Sequence, residues 1–331
     1  NKIFRIYLDY YFCFLYNFNM NKLYEFKNGK IKFKKFIIAL APMAGVTDFA
    51  FRKICADFGA DMVVTEMISV KALENKSFKT NKMLREEANA IRCCQLFGHD
   101  TISIANALHT NLFENFDIID FNCGCPAPKI VKNNDGSAMM RDIEKTRSVI
   151  SCLVQNSNKP VSVKFRLGID NNINYIEFAK MCEECGVSFI TLHARTREQG
   201  YSGVVDKSAY QKLVSTVKIP VFWSGDINTI EDVEYAKSIG CAGVMIGRAS
   251  MGNPEIFSIL SNTTPPYSKK EAIIKHLELL KTYFKTEKTL VAYFKKHLMW
   301  YVKSLPLATE IKRKIMLFST LDEVNKLIDN L

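Results

Sequence analysis

The 331-residue sequence contains little glycine and proline, 15 and 9 residues respectively. This scarcity excludes collagen-like and low-complexity architectures. Residues 1–19 are rich in aromatic side chains, but the segment is shorter than the ~20 residues that span a bilayer, and Arg5 and Asp9 interrupt it. No small-residue cleavage site follows it. Because Met20 opens a more ordinary sequence, we expect residues 1–19 to be translated upstream sequence, and we predict no membrane or export signal.

The ten cysteines lack the dense spacing of a small disulfide-bonded secreted domain. Their scatter through apolar runs favours a reducing, cytoplasmic compartment. Cys182 and Cys185 have the spacing of a zinc-binding pair, but no second pair completes four ligands. We therefore predict buried helix cysteines at these positions and no metal site.

Charge is distributed unevenly along the chain. Hydrophobic residues make up 48% and charged residues 24%, which excludes disorder as the main state. Residues 1–36 carry 8 basic and 2 acidic side chains, residues 265–331 carry 13 and 7, and the segment between them carries 24 and 25. A neutral body with basic ends predicts a catalytic core with attachments that bind a polyanion, and a solvated basic surface is the alternative.

Short apolar or β-branched runs alternate with amphipathic stretches, which is the pattern of βα units around a parallel sheet. The predicted strands are Phe36–Leu40, Asp61–Glu66, Ala90–Leu96, Asp117–Asn122, Val161–Arg166, Phe189–His193, Val221–Trp223 and Gly243–Ile246. Their number and spacing predict an α/β fold, a (β/α)₈ TIM barrel over residues 36–262. A doubly wound sheet would instead show a Gly-rich turn after the first strand. We predict a basic extension over residues 1–35 and a small helical domain over residues 263–331.

Polar or unusual residues follow almost every predicted strand, on the face where barrel enzymes place their active sites. Lys164 is expected to point over the barrel mouth, and Gln95 to offer its amide to the edge of a heterocycle. For Lys164 and His193, an ordinary structural role is the alternative. The small residues of the last two loops, 224–226 and 247–248, would let backbone N–H groups approach a phosphate.

The most specific segment is Asp120–Pro126, Asp-Phe-Asn-Cys-Gly-Cys-Pro, followed by Gly136-Ser137. Together with APMAGVTD at 41–48, VKFRLG at 163–168, LHARTR at 192–197 and HLMWY at 297–301, it resembles the tRNA-dihydrouridine synthases, in particular their bacterial B-type branch. The resemblance extends from about Ala39 to about Lys314. The Gly-Cys-Pro segment and HLMWY distinguish the chain from other flavin barrels.

The resemblance implies an enzyme that uses FMN to reduce the C5–C6 bond of specific uridines in tRNA, with NADPH as reductant. Its implied flavin-binding residues are Pro42, Met43, Ala44, Gln95, Lys164 and His193, with the phosphate on Ser224, Gly225, Asp226, Gly247 and Arg248. Arg195 and Asn122 are the expected uridine contacts. Ser224 and Pro128 depart from the family pattern, which usually has Asn at the first position and a polar or basic residue at the second.

Cys125 is the predicted catalytic residue. Hydride transfer to C6 of uracil leaves enolate character at C5 and O4, so a positioned acid must protonate C5. A thiol with an ordinary pKa of about 8.5 is protonated at pH 7 and able to donate. Cys123, by contrast, is expected to be a buried small side chain.

A uridine in folded tRNA is partly stacked, so the enzyme must extract it and hold the surrounding backbone. Ile273, Leu277, Leu280 and Phe284 recur at helical spacing and are expected to pack inward. His297, Trp300 and Tyr301 share a second helix face that either stacks on bases or fills a core. The predicted RNA contacts are Lys129, Lys132, Lys295, Lys296, Trp300, Lys303, Lys312, Arg313 and Lys314.

Two other function classes stay open at this stage. A flavin barrel of the dihydroorotate dehydrogenase or old-yellow-enzyme type would act on a small metabolite and would not need the basic C-terminal segment. A non-catalytic RNA-binding protein would keep that segment but would not need Cys125, Lys164 and His193. The sequence gives no sign of an obligatory protein partner.

Overall fold

The computed structural model describes residues 36–331 apart from 76, 78, 79, 81 and 82. It also describes two short strands before them, β1 (Tyr24–Phe26) and β2 (Gly29–Phe33), which pair antiparallel. The rest of the predicted extension over residues 1–35, including the expected upstream segment 1–19, lies outside the described residues.

Eight parallel strands close into a barrel, so the predicted TIM barrel is confirmed. Every predicted strand is present, with ends that differ by two residues at most. In barrel order the strands are β3 (Ile37–Leu40), β4 (Met62–Val64), β6 (Ile91–Phe97), β7 (Ile118–Cys123), β8 (Val161–Arg166), β11 (Phe189–His193), β12 (Val221–Ser224) and β13 (Gly243–Ile246), which returns to β3. The short β5 (Ile68–Ser69) also pairs with β6, and β9 (Gly168–Ile169) with β10 (Asn172–Ile173).

Helices surround the barrel between these strands. They are α1 (Phe49–Asp57), α2 (Val70–Glu74), α3 (Thr101–Leu108), α4 (Pro128–Lys132), α5 (Ile143–Asn156), α6 (Tyr175–Glu184), α7 (Lys207–Thr216), α8 (Ile230–Ser238) and α9 (Ile256–Leu260). Three 3₁₀ turns lie at Asn111–Phe113, Gly136–Arg141 and Arg248–Ser250. Asp48 caps α1 by accepting a hydrogen bond from the Phe51 N–H, which satisfies one of the free donors at the helix start.

The strands are apolar on both faces because the barrel has two cores. Alternate residues such as Ile37 and Ala39 fill the barrel interior, while Ile38 and Leu40 face the surrounding helices. This period-two division is invisible in a uniformly apolar run, since both faces of a parallel barrel strand are buried. Cys182 is also buried on α6, and the cysteines of the described residues are all unpaired.

Four C-terminal helices follow the barrel: α10 (Lys269–Lys281), α11 (Glu287–Tyr301), α12 (Ala308–Leu317) and α13 (Leu321–Asp329). They enclose a second apolar cluster that includes Ile273, Leu277 and Leu280, as the helical spacing predicts. The same cluster contains Phe49 and Ala50 of barrel helix α1. The helices therefore dock on α1. In the part of the chain that the structure describes, no helix combines the length and apolarity needed to cross a bilayer.

Candidate active site at the barrel mouth

The parallel strands bring the sequence-predicted residues to one rim. Their register places Asn122 beside Lys164 on the neighbouring strand, and His193 beside both Arg166 and Ser224. The predicted flavin-lining residues Pro42, Met43 and Ala44 follow β3, and Gly247 and Arg248 follow β13 at the adjacent position. Residues from six segments of the sequence thus lie at a single opening.

The loop that carries Cys125 is held by the Asn122 side chain. Its Oδ1 accepts hydrogen bonds from the N–H groups of Gly124 at 3.2 Å and Cys125 at 2.9 Å. On the other side of the loop, Gly136 has a φ of +61°, and a Cβ there would lie 2.8 Å from the Cys125 carbonyl oxygen. Only glycine fits this position. Asn122 and Gly136 therefore fix where the Cys125 thiol points.

A polar network lies beneath this loop. The Asn122 amide donates to Gln95 Oε1 at 2.9 Å, and the Gln95 amide donates to Asp120 Oδ2 at 2.7 Å. Ser162 donates to the other Asp120 oxygen at 2.5 Å. Each amide group keeps one uncommitted N–H, and Gln95 Oε1 keeps one lone pair, so a ligand contact by Asn122 would use its hydrogen and one by Gln95 could use either. The roles of Asp120 and Ser162 were not predicted from the sequence, although a carboxylate inside an apolar strand could have indicated that of Asp120.

Cys125 is partly exposed, whereas Cys123 is fully buried, as predicted. Burial raises the pKa of the Cys125 thiol, and the nearby charges of Arg166 and Lys164 only partly oppose this. The side chain therefore carries its proton at neutral pH. That state suits a proton donor and does not suit a nucleophile, which would need the thiolate.

His193 is surrounded by positive charge. Burial, followed by the charges of Lys164, Arg166, Arg195 and Arg248, lowers the pKa of His193 to about 2, so its ring is neutral. Arg195 donates to His193 Nε2 at 3.3 Å, which leaves Nδ1 as the protonated nitrogen. Burial and Arg166 also lower the pKa of Lys164 to about 8. This excess of positive charge suits an anionic ligand.

Asp226 connects the two loops predicted to hold a phosphate. Its carboxylate accepts from Arg195 at 2.5 Å and from Arg248 at 2.8 Å. Arg195 is 1% exposed and also donates to the backbone carbonyls of Ser202 and Gly203, so its visible role is to hold this loop. A direct contact between Arg195 and uridine stays a prediction.

Glycine is required in one of these two loops. Gly225 has a φ of +117°, and a Cβ there would lie 2.7 Å from His193 Cδ2. A Cβ on Gly247 would meet its nearest neighbours, Ala41 Cβ and Met43 Sδ, only at 3.8 Å. Ser224, the departure from the family pattern, is buried, and its carbonyl accepts from Tyr210 at 2.8 Å. The Ser224 side chain is therefore not what shapes the turn.

Tyr201 was missed by sequence reasoning. It is 58% exposed at the mouth, and its ring centroid lies 5.1 Å from the Arg248 guanidinium and 5.6 Å from that of Arg166. The His193 ring centroid is 6.2 Å away. An exposed aromatic between two cations at the end of a barrel loop is a surface on which a planar ring can stack.

The predicted RNA-contacting residues lie in two places. Lys129 and Lys132 are exposed on α4, which begins with Pro128 just after the Cys125 loop. The remaining predicted contacts lie on or after α11, and the exposed ones are Lys303, Arg313 and Lys314. Lys295 donates to the Met316 carbonyl at 2.8 Å, and Lys314 pairs with Glu310 at 2.9 Å. Their contacts with RNA stay predictions.

Two of the three aromatic residues of the HLMWY segment belong to the core. His297 and Tyr301 are each 1% exposed, so the interpretation that they fill the core is confirmed. Trp300 is half-buried, with its ring edge-on to His297 at 5.2 Å. Lys296 lies over the Tyr293 ring at 3.5 Å. Only Trp300 retains an exposed part that a base could contact.

Three lysines of the C-terminal region influence one another, and only two of them were predicted from the sequence. Partial burial and the nearby charges of Lys269 and Lys312 lower the pKa of Lys303. Lys303 and Lys312 were predicted from the sequence, but Lys269 lies 34 residues before Lys303 and was not. The charge of Glu255 acts on Lys269 in the opposite direction, so this group of lysines already has one acidic neighbour.

Comparisons with known proteins point to the same family as the sequence motifs. The family model described as dihydrouridine synthase (Dus) matches residues 39–330. The chain is 36% identical over 307 residues to a probable tRNA-dihydrouridine synthase of Rickettsia conorii, covering 88% of this chain and 92% of that protein. It is 33% identical over 309 residues to tRNA-dihydrouridine synthase B of Vibrio cholerae, covering 90% and 95%.

Among solved structures, an old yellow enzyme homologue from Zymomonas mobilis is similar at a TM-score of 0.52. The two share 13% identity over 72% of this chain and 91% of that one. At this identity the likeness concerns the fold alone, and it agrees with the closed barrel.

Proposed function

Because this chain belongs to the dihydrouridine synthase family, we propose that it uses FMN and NADPH to reduce uridines of tRNA to dihydrouridine. It is a flavin-dependent oxidoreductase that modifies tRNA. Family membership separates it from the metabolite-reducing barrels and from a non-catalytic RNA-binding protein. The identity of the cofactor, the reductant and the residue roles below are the proposal.

One observation carries the mechanism: the Cys125 thiol is fixed by Asn122 and Gly136 and keeps its proton at neutral pH. When bound, the flavin supplies the hydride that adds to C6 of uracil. Cys125 holds the proton that C5 then takes from Sγ, and the thiolate that results is stabilised by the positive charges of Lys164 and Arg166. Proton donor and charge compensation thus come from adjacent strands.

The donor set of the mouth fits FMN. Neutral His193 offers one N–H, Lys164 offers an ammonium, and the loops at Gly225 and Gly247 offer backbone close to Arg248. Four cations surround His193 and Asp226 pairs with two of them, so a phosphate dianion would offset part of the remaining positive charge. Pro42, Met43 and Ala44 would form the apolar wall. The roles of these residues in holding FMN rest on this charge balance and on the family.

The tRNA surface follows from where the lysines lie. Lys129 and Lys132 flank the Cys125 loop on α4, so they are close to the point where a uridine must enter. Lys269 on α10, Lys303 just after α11 and Lys312 on α12 would bind backbone phosphates. We infer that the helices hold the tRNA while the barrel mouth receives one extracted base.

NADPH and a reducing compartment complete the proposal. A hydride donor would have to reduce the flavin between turnovers, and NADPH is the donor that the family resemblance implies. The unpaired cysteines of the described residues suit a cytoplasmic environment.

The decisive experiment incubates the purified protein with NADPH and tRNA that lacks dihydrouridine. We expect a yellow protein that releases FMN on heating, and dihydrouridine detected in the digested tRNA by mass spectrometry. Free uridine and an activated enone serve as controls for the metabolite-reducing class. Turnover of the enone without formation of dihydrouridine would contradict the proposal.

A further inference from the structure

Asp48 lies where the loop after β3 enters α1, and it is bonded from both sides of the junction between the barrel and the C-terminal helices. On the barrel side, its Oδ1 accepts from the Phe51 N–H at 2.9 Å. On the helical side, its Oδ2 accepts from the Tyr293 hydroxyl at 2.9 Å and from His297 Nε2 at 2.8 Å. The Asp48 carboxylate therefore joins two parts of the chain that lie 249 residues apart in sequence.

A second histidine completes this group. His276 of α10 is fully buried, with Nε2 3.7 Å from Asp48 Oδ1 and Nδ1 3.0 Å from the Tyr301 hydroxyl. We call Asp48, His276, Tyr293, His297 and Tyr301 the Asp48 cluster. Its four helical members come from α10 and α11, and they converge on a single barrel residue.

Burying the Asp48 cluster costs more free energy than burying an apolar contact at the same place would. A buried carboxylate is expensive unless its partners compensate it, and replacing such groups by apolar residues is often neutral or stabilising. Although burial acts to raise the pKa of Asp48, the bonds and charges of His297 and His276 hold it well below its ordinary value. Apolar packing of Phe49 with Leu280 already joins the same surfaces. The cluster adds a preferred orientation of the C-terminal helices on the barrel, because hydrogen bonds allow one orientation and apolar contacts allow many.

The orientation that it fixes includes the proposed flavin-lining loop. Thr47, directly before Asp48, closes a turn with Met43: Thr47 Oγ1 accepts from the Met43 N–H at 3.1 Å, and the Met43 carbonyl accepts from the Thr47 N–H at 3.1 Å. On the other side, His297 is followed by Trp300 and preceded by Lys296 on α11, both predicted RNA contacts. Asp48 thus stands between the residues proposed for the flavin and those proposed for tRNA.

The same donors could be considered as metal ligands. Within the described residues, Asp48, His276 and His297 form the one group of three such side chains whose donor atoms all lie within 4.8 Å of one another. Ligands of a tetrahedral zinc at ~2.0–2.1 Å would stand about 3.3 Å apart. The 2.8 Å contact between Asp48 and His297 is instead a hydrogen bond, with the proton on Nε2.

We propose that Asp48 is a positioning residue for uridine reduction: through His297 and Tyr293 it sets the C-terminal helices against the loop 42–47, so that a tRNA held by the helices presents its uridine beside Cys125. This inference rests on the proposed function. It assigns the cluster to the tRNA half-reaction, because reduction of the flavin by NADPH does not need the helices to be aligned.

The test compares three variants by stopped-flow kinetics. His297→Ala removes the main bond to Asp48, His297→Gln restores an N–H near the position of Nε2, and Leu280→Ala removes apolar contact from the same interface without touching a hydrogen bond. Flavin reduction by NADPH and re-oxidation of the reduced flavin by tRNA are measured separately, below the melting temperature of each variant.

We expect His297→Ala to slow re-oxidation by tRNA about 10- to 100-fold, the range that a misplacement of about 1 Å produces. Flavin reduction should stay within about twofold, since a misplaced helix bundle does not alter the flavin pocket's access to NADPH. His297→Gln should recover most of the re-oxidation rate. Leu280→Ala should lower the melting temperature and leave both rates near those of the wild type. Equal slowing of the two half-reactions in His297→Ala, or unchanged re-oxidation, would overturn the proposal.

Two further measurements separate this inference from the proposed function. Amide hydrogen exchange at Val46 and Thr47 should rise about tenfold in His297→Ala and stay unchanged in Leu280→Ala, whatever the substrate is. Unchanged exchange in His297→Ala would refute the positioning role even if the wild type makes dihydrouridine. Stoichiometric zinc in the wild-type protein would also overturn it, because the cluster would then be a metal site.

Discussion

Cys125 is the residue proposed to donate the proton, and its loop has a defined shape. Asn122 accepts two backbone hydrogen bonds that shape the loop, so an amide that reads as a substrate contact in the sequence also serves as a local scaffold. The Cys125 thiol and its neighbour Cys123 are two positions apart, yet Cys123 is fully buried and Cys125 is partly exposed. This pair offers a matched comparison.

We predict that Cys125→Ala lowers the rate of uridine reduction by about 10²-fold or more, the usual contribution of a general acid. Flavin content and flavin reduction by NADPH should be largely unchanged, because neither step uses the thiol proton. Uridine reduction is measured with tRNA that lacks dihydrouridine. Cys123→Ala, at the end of β7 just before this loop, is the control and should retain nearly full activity. Similar losses in the two variants would show that the loop matters and the thiol does not.

A second prediction at this scale concerns Lys164, whose pKa burial and Arg166 lower to about 8. Below pH 8 the side chain is charged and attracts anionic FMN, and above pH 8 it becomes neutral. The affinity of the apoprotein for FMN should therefore fall by up to about tenfold between pH 7 and pH 9. Quenching of FMN fluorescence on binding measures this.

Lys164→Met is the matched variant, because it keeps most of the side-chain volume and cannot titrate. It should bind FMN more weakly at pH 7 and show a flat profile from pH 7 to pH 9. A wild-type affinity that is also independent of pH would show that Lys164 does not face the cofactor.

At the scale of elements, the strands bring the loops to one rim of the barrel, and the loops set the positions of the site residues. The 3₁₀ turn that begins at Gly136 packs directly against the Cys125 loop, and Ser137 donates its N–H to the Cys125 carbonyl at 3.1 Å. The Gly-Ser pair of the family signature thus has a steric reason in this structure. Any side chain at Gly136 must displace the loop or the turn.

Gly136→Ala should therefore reduce uridine reduction strongly, because its Cβ would meet the Cys125 carbonyl oxygen at 2.8 Å and the Cys125 Cβ at 3.0 Å. Gly186→Ala is the control: its φ is also positive, at +88°, but its Cβ would meet Val154 only at 3.5 Å, an ordinary contact. Both variants should lose about 1–3 kcal/mol of stability to backbone strain. Thermal unfolding and activity are measured in parallel, and equal activity of the two variants would contradict the assignment.

At the scale of the whole molecule, charge and shape are divided between two regions. The barrel carries the residues proposed for flavin chemistry, and residues 265–331 carry 13 basic and 7 acidic side chains. The two regions share Phe49 and Ala50 in one apolar cluster, so removing residues 263–331 would expose α1. Point substitutions on the outer surface are the cleaner way to test RNA binding.

Replacing Lys269, Lys303 and Lys312 by Ala should weaken tRNA binding and reduce the slope of log K against log salt by about 0.7–0.9 for each lost phosphate contact. The measurement is a filter-binding titration over a range of NaCl concentrations. Lys326→Ala is the control, because Lys326 is paired with Asp322 at 2.7 Å on α13 and should leave the slope unchanged. An unchanged slope in the triple variant would indicate a merely solvated basic surface.

The sequence by itself determined the barrel, because eight apolar runs at regular spacing leave few other ways to bury them. It also predicted Cys125 as the catalytic residue, since Gly-Cys-Pro and the later Gly-Ser pair resemble the family signature. The tertiary structure alone decided which residues meet: Lys269 joins Lys303 and Lys312, Tyr201 reaches the mouth, and Asp48 bonds to His297. Such contacts depend on how helices far apart in sequence dock, and no periodicity or spacing within one segment encodes that.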